Sequence, residues 1–185
     1  LALCWLRIGN ERRNEKNLED AAEAYETSIS AFPESQDARY NLALLKIDCN
    51  QLDYAIQLLR EVLVAEPNNA LAELHLARGL IESERHNEAL PFLHGLSRKG
   101  CDIDVLEHCA LLLVSAGEPK TAFALGQQIY RDHPERCSKK GWAWLAGQYL
   151  RRGYADDDAR RRVGAHRHLD LEGRDGGRHN AGGIC

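Results

Sequence analysis

Apolar residues return along this chain at helical spacing, and the helical pattern itself returns every 34 residues. Within 37–67, Tyr40-Asn41-Leu42-Ala43 opens one predicted helix, Ala55, Leu59 and Val62 line a second, and Glu66-Pro67 stops it. Pro33 and Pro67 lie 34 residues apart, and Ala21, Ala55 and Ala89 share that spacing. A fixed period of this length marks a solenoid, in which each helical pair buries on its neighbour a face it cannot bury alone. Residues 1 to about 14 form the first predicted helix, around Trp5, Ile8 and Gly9. Asn17 caps the second, with Asp20 in the first turn where a carboxylate suits the positive end of the helix dipole. That helix carries Leu18, Ala21, Tyr25 and Ser28, and ends before Pro33. Proline lacks the N–H that would continue the helix and restricts Phe32 before it.

Small residues mark the crossings. Gly9, Ala43, Ala77, Ala110 and Ala146 fall where the first helix of a pair must approach the second, and Ala21, Ala55, Ala89 and Ala122 answer them. Larger residues three or four positions away fill the neighbouring pair. Trp5-x2-Ile8-Gly9, Ala21-x3-Tyr25 and Pro33 resemble the tetratricopeptide repeat, whose pattern runs Trp-x2-Leu-Gly, Ala-x3-Phe and Pro. Later copies read Leu42-Ala43, Ala55-x3-Leu59 and Pro67; Leu76-Ala77 and Ala89-x3-Leu93, with Cys101 in the proline place; then Cys109-Ala110, Ala122-x3-Gly126 and Pro134. A fifth start appears at Trp142-x2-Leu145-Ala146-x2-Tyr149. The resemblance covers roughly four-fifths of the chain and implies an all-α, right-handed superhelical solenoid of helix-turn-helix repeats. The expected array spans 1–158, with repeats at about 2–35, 36–69, 70–102 and 103–135 and a partial one at 139–158.

Charge separates the remainder. Residues 159–185 hold six Arg against Asp170, Glu172 and Asp175, leaving the rest near −7 within a total of −4. An acidic array argues against broad binding to nucleic acid phosphates. The Arg/Gly-rich tail at 159–185 is expected to be disordered, and RNA contact through it is the one nucleic-acid reading left. No apolar run is long enough to cross a bilayer, and no secretion signal opens the chain, which slightly favours the cytoplasm. Leu1 already lies inside a helical pattern and the chain has no Met, so it is expected to be a piece of a longer protein. The six Cys have no CxxC spacing and are expected to be reduced thiols, some of them in the core.

Candidate chemistry lies along the first helices, which the resemblance places on the concave side. Arg7, Asn41, His75, His108 and Trp144 occupy one repeated position, at spacings of 34, 34, 33 and 36, and form an expected ladder, with Arg78 three residues beyond His75. Repeats of this kind often place Asn at such a point, where its amide both donates to and accepts from an extended peptide. His75 and His108 suit a polar ligand, and Trp144 suits stacking on an aromatic or proline side chain. The set that clamps chaperone C-termini is not reproduced: Leu3, Arg7, Leu71 and His75 stand at its places, and only Asn41 matches.

Catalytic signals are weak. His166-x-His168 has metal-like spacing without a third ligand, His75, His108 and Asp104 lack a nucleophile, and Gly176-Gly177 does not join a strand to a helix. Glu23, Glu61 and Glu88 are expected on outward faces. No catalytic residue, cofactor or metal is expected. The sequence thus points to a non-catalytic scaffold binding a protein or peptide partner in its groove, or to the repeat portion of a larger enzyme such as a transferase. An open end near Tyr149 would expose apolar surface and invite self-association.

Overall fold

The computed structural model describes residues 2–133 and Gly147. Among these there are eight helices and no strand: α1 (Ala2–Asn14), α2 (Leu18–Ala31), α3 (Gln36–Asp48), α4 (Leu52–Ala65), α5 (Ala70–Glu82), α6 (His86–Arg98), α7 (Ile103–Ser115) and α8 (Pro119–Asp132). They form an all-α tetratricopeptide-type solenoid. The chain divides into two compact units, Leu1–Glu118 and Pro119–Cys185. The expected boundary at 158 and the tail at 159–185 lie outside the described residues, as does the partial repeat at 139–158 apart from Gly147.

In the first unit each odd-numbered helix packs on the even-numbered helix that follows: α1 on α2, α3 on α4, α5 on α6. Each pair then stacks on the next through α2 with α3, α4 with α5 and α6 with α7. The first helices also adjoin one another, α1 to α3, α3 to α5 and α5 to α7, whereas no comparable approach joins α2 to α4 or α4 to α6. That asymmetry puts the first helices on the inside of the bend in this unit.

Helix ends follow local chemistry. The Asn17 side chain accepts the Asp20 N–H, Ser35 accepts that of Ala38, and Asn69 accepts that of Ala72. Each satisfies a backbone donor that the first helical turn leaves without a partner. The turn inside each pair is also repeated. Lys16, Asn50, Glu84 and Gly117 take positive φ of 62°, 58°, 61° and 90°. The N–H of the following residue reaches back five positions: Asn17 to Arg12 (3.0 Å), Gln51 to Lys46, Arg85 to Leu80 and Glu118 to Leu113 (each 2.8 Å). This is the Schellman closure, in which a left-handed residue lets the chain recapture orphan carbonyls.

Close crossings set the pairs. Gly9 leaves no room for a side chain, since a Cβ there would lie 2.5 Å from Tyr25 Cε1. Ala21, Ala43, Ala55, Ala77 and Ala89 are fully buried, and Ala110 nearly so. Around them Leu42, Leu59, Leu76, Leu80, Leu93 and Leu113 are inaccessible to solvent. Ser28 is buried without penalty because its hydroxyl donates to the Ala2 carbonyl at 2.9 Å. Glu23, Glu61 and Glu88 are exposed, as expected from the sequence. Glu61 pairs with Arg39 at 3.2 Å, and Glu88 meets Arg60 and Arg85. In the second unit α8 begins on Pro119 and buries Ala122, Phe123, Leu125 and Ile129.

Candidate functional site

Positions separated by four, three and four residues lie on one face of a helix. On the first helices that face reads Leu3, Arg7, Asn10 and Asn14 in α1, then Asp37, Asn41, Leu44 and Asp48 in α3. It continues as Leu71, His75, Arg78 and Glu82 in α5, and Asp104, His108, Leu111 and Ser115 in α7. None of these residues is buried. The rows of the first unit therefore place Arg7, Asn41, His75 and His108 on adjacent helices, with Arg78 one turn further along. Trp144 lies outside the described residues.

The expected site residues are not equally available. Arg7 is well exposed and pairs with Glu11 within its own helix at 3.5 Å. Asn41 donates its Nδ2 to Asn10 Oδ1 at 3.1 Å, and the same oxygen accepts the Tyr25 hydroxyl at 2.7 Å. The Asn41 amide is thus oriented by its neighbour, with its carbonyl oxygen the atom that can answer a peptide N–H. Burial raises the titration of Tyr25 and of Tyr40, opposed by the positive charge of Arg13.

Arg78 sits in a chain of charges. Arg13 reaches Asp48 at 3.0 Å, Asp48 lies 3.9 Å from Arg78, and Arg78 holds Glu82 at 2.8 Å. Two cations and two carboxylates compensate one another along α1, α3 and α5. A single added charge finds little net field there, so Arg78 is a poor anchor for a free carboxylate.

His75 and His108 differ in a way that the sequence hides. The His75 ring meets Tyr40 edge-on, with centroids 5.8 Å apart, and its Nδ1 is buried without a hydrogen-bond partner. Burial, reinforced by Arg78, His108 and Arg13, lowers its pKa to about 4, with only Asp48 opposing. His75 is therefore neutral at physiological pH. A buried N–H without an acceptor is rarer than an under-used acceptor, so its proton belongs on Nε2. His108 is exposed, and its Nδ1 lies 2.8 Å from the Asp104 carbonyl, an acceptor only. Its proton is thereby fixed on Nδ1, leaving Nε2 as a lone pair when the ring is neutral. The two imidazoles on adjacent helices are thus assigned opposite tautomers.

Sequence reasoning gave the repeated positions but not the neighbours that contact them, Asn10, Arg13, Tyr40 and Asp48. One available signal was the 34-residue spacing of Asp48 and Glu82 at the end of two first helices. Among the described residues no group of three or more His, Cys, Asp or Glu is placed to hold a metal ion. Of the thiols described, Cys4 and Cys49 are exposed and Cys109 is buried, its pKa pushed up to about 12 mainly by burial. Its Sγ–H donates to the Leu93 carbonyl at 3.3 Å. No described helix is long and apolar enough to cross a membrane.

Comparison with known proteins agrees with this architecture. The sequence profile of the tetratricopeptide repeat matches residues 13–64. No curated protein sequence matches. Among solved structures, MamA from Desulfovibrio magneticus superposes with a TM-score of 0.71 at 16% identity, over 94% of this chain and 97% of that one. PilF of Pseudomonas aeruginosa gives 0.71 at 20% identity, over 96% and 78%. An O-GlcNAc transferase from Thermobaculum terrenum gives 0.62 at 20% identity, over 71% of this chain but only 26% of the transferase.

Proposed function

We propose that this chain, a member of the tetratricopeptide repeat family, is a non-catalytic scaffold whose inner face holds an extended segment of a protein partner. The observation that carries this reading is the complementary pair of imidazoles. An extended peptide presents a carbonyl acceptor and an N–H donor in each unit, and His75 Nε2–H with His108 Nε2 supplies one of each. The Asn41 carbonyl adds an acceptor on α3, where Leu44 offers apolar contact one turn along, as Leu111 does beyond His108 on α7.

The test uses the full chain as bait, read by mass spectrometry beside an Asn41→Ala, His75→Ala double variant. A thermal melt of both confirms that the array remains folded. Partners retained by the parent and lost by the variant support the groove; an identical set from both refutes it. Asn41→Ala leaves Asn10 Oδ1 paired with Tyr25, so little destabilisation is expected from that change.

A second reading is favoured by the transferase likeness, in which the matched region is a minor part of a larger chain. The repeats would then deliver a partner to a catalytic domain beyond this sequence. A full-length reading frame encoding such a domain beside these repeats supports it, and a frame holding only repeats counts against it.

A further inference from the structure

The second residue of each first helix in the first unit reads Leu3, Asp37, Leu71 and Asp104, at spacings of 34, 34 and 33. Leu3 is 78% exposed and Leu71 49%, and both aspartates are exposed. One edge of the inner face therefore alternates leucine with aspartate. Between the first two repeats this edge deepens into a cleft of about 640 Å³. Leu3 and Leu6 of α1 and Phe32, itself 53% exposed, give it an apolar floor. Glu34, Asp37 and Glu66 stand around it. Among the described residues none of these three carboxylates enters an ion pair; Glu66 accepts only the amide of Asn69, at 2.8 Å. Arg39 reaches the cleft's Gln36 at 3.1 Å but pairs with Glu61, so two large apolar side chains stand in water beside three carboxylates without ion pairs, a surface that a cationic amphipathic segment would cover.

We infer that this cleft is a second docking site, distinct from the histidine ladder, for a segment carrying bulky apolar side chains flanked by Lys or Arg. The apolar residues displace water from Leu3, Leu6 and Phe32, while the cations face Glu34, Asp37 and Glu66. The wider field has the same sign, since residues 2–133 carry 21 Asp and Glu against 13 Lys and Arg. Such a field speeds encounter with a basic partner and weakens as salt screens it. The site stands independently of the ladder, because neither Arg7, Asn41, His75 nor His108 lines it.

The test is fluorescence anisotropy with a labelled ten-residue peptide bearing Leu and Phe between pairs of Lys. Two companions accompany it, one with Glu for each Lys and one with Ser for Leu and Phe. Saturable binding is expected for the first peptide alone. Its affinity should fall at least tenfold with Glu34→Lys, Asp37→Lys, Glu66→Lys combined, and similarly with Leu3→Asp at a position too exposed to unfold the array. It should also fall between low and high salt, and remain unchanged in His75→Ala. Failure of the first peptide to saturate overturns the inference. So does equal binding of the Ser peptide, which would reduce the effect to charge alone. Indifference to the cleft variants, or loss only in His75→Ala, would overturn it by returning the peptide to the ladder.

Discussion

At the seam where the first helix of a pair crosses the second, the chain carries Gly9, Ala43 and Ala77 on one side and Ala21, Ala55 and Ala89 on the other. All are buried. On the inner face of the same first helices, two residues earlier, stand Arg7, Asn41 and His75, none of them buried. Both sets obey the 34-residue period, yet one is nearly invariant from repeat to repeat and the other changes every time. The seam is fixed by backbone distance, which admits only glycine or alanine. The inner face meets its neighbours through side chains, as Asn10 does Tyr25 and Asn41, so residue size is not fixed there by backbone distance. Repetition within this chain reports packing, and departure from it reports what the surface contacts.

The largest effect should come from emptying the seam. Tyr25 is fully buried against Gly9 and tied through its hydroxyl to Asn10. Tyr25→Ala removes an aromatic ring from a site that Gly9 cannot refill, and about 3–5 kcal/mol of unfolding free energy should be lost. Urea denaturation followed by circular dichroism measures it. A loss below about 1 kcal/mol would mean that the seam is plastic and the contrast with the inner face is false.

The inner face carries one exception to its tolerance. The unfolded imidazole takes up its proton near pH 6.5, whereas folded His75 resists until about pH 4. Between those values the unfolded chain binds more protons, so stability falls as the pH falls through this window and is fully present above it. The shift corresponds to roughly 3 kcal/mol at most. Other groups also titrate there, so the comparison is with His75→Phe, which retains a ring against Tyr40. The variant should lose less stability than the parent from pH 6.5 to 4. Parallel curves would show that His75 is as freely solvated as its neighbours in the row.

Overfilling the seam should cost less than emptying it. Ala55 is completely buried in α4, and Ala55→Leu forces extra methylenes into the crossing at about 1–3 kcal/mol. Leu44→Ile, on the partly exposed inner face and outside the seam, serves as the reference. Chemical denaturation of both variants gives the contrast directly.

Much of the seam was legible because its cause is local and repeated. Proline stops, the Asn17 cap and alanines at one spacing each act through backbone geometry that a sequence displays. The ladder positions were legible for the same reason, but their states were not. That His75 stays neutral depends first on its burial and then on charges that include Arg13 and Asp48, 62 and 27 residues away in the chain. The Asn10 node joins α1, α2 and α3, and no single-helix pattern announces it. The left-handed turn was hidden in another way. Only Gly117 and Asn50 are residue types that signal it, while Lys16 and Glu84 adopt the same backbone against their preference.

That last mismatch yields the smallest prediction and the one that most cleanly separates packing from backbone. Glu84 is exposed, sits at φ 61° and closes the turn between α5 and α6 through the Arg85 N–H to the Leu80 carbonyl. A Cβ in this conformation is strained, whereas glycine adopts it without penalty and is the common residue at this place in a Schellman turn. Part of that gain is lost to the greater freedom of glycine in the unfolded chain. Glu84→Gly should therefore stabilise the array by about 0.5–1 kcal/mol, and Gly117→Ala should destabilise it by a similar amount. A differential melt of the two variants reads both signs at once. Opposite signs would show that the third turn carries strain that the fourth has removed; equal signs would mean that side-chain contacts at Glu84 outweigh its backbone.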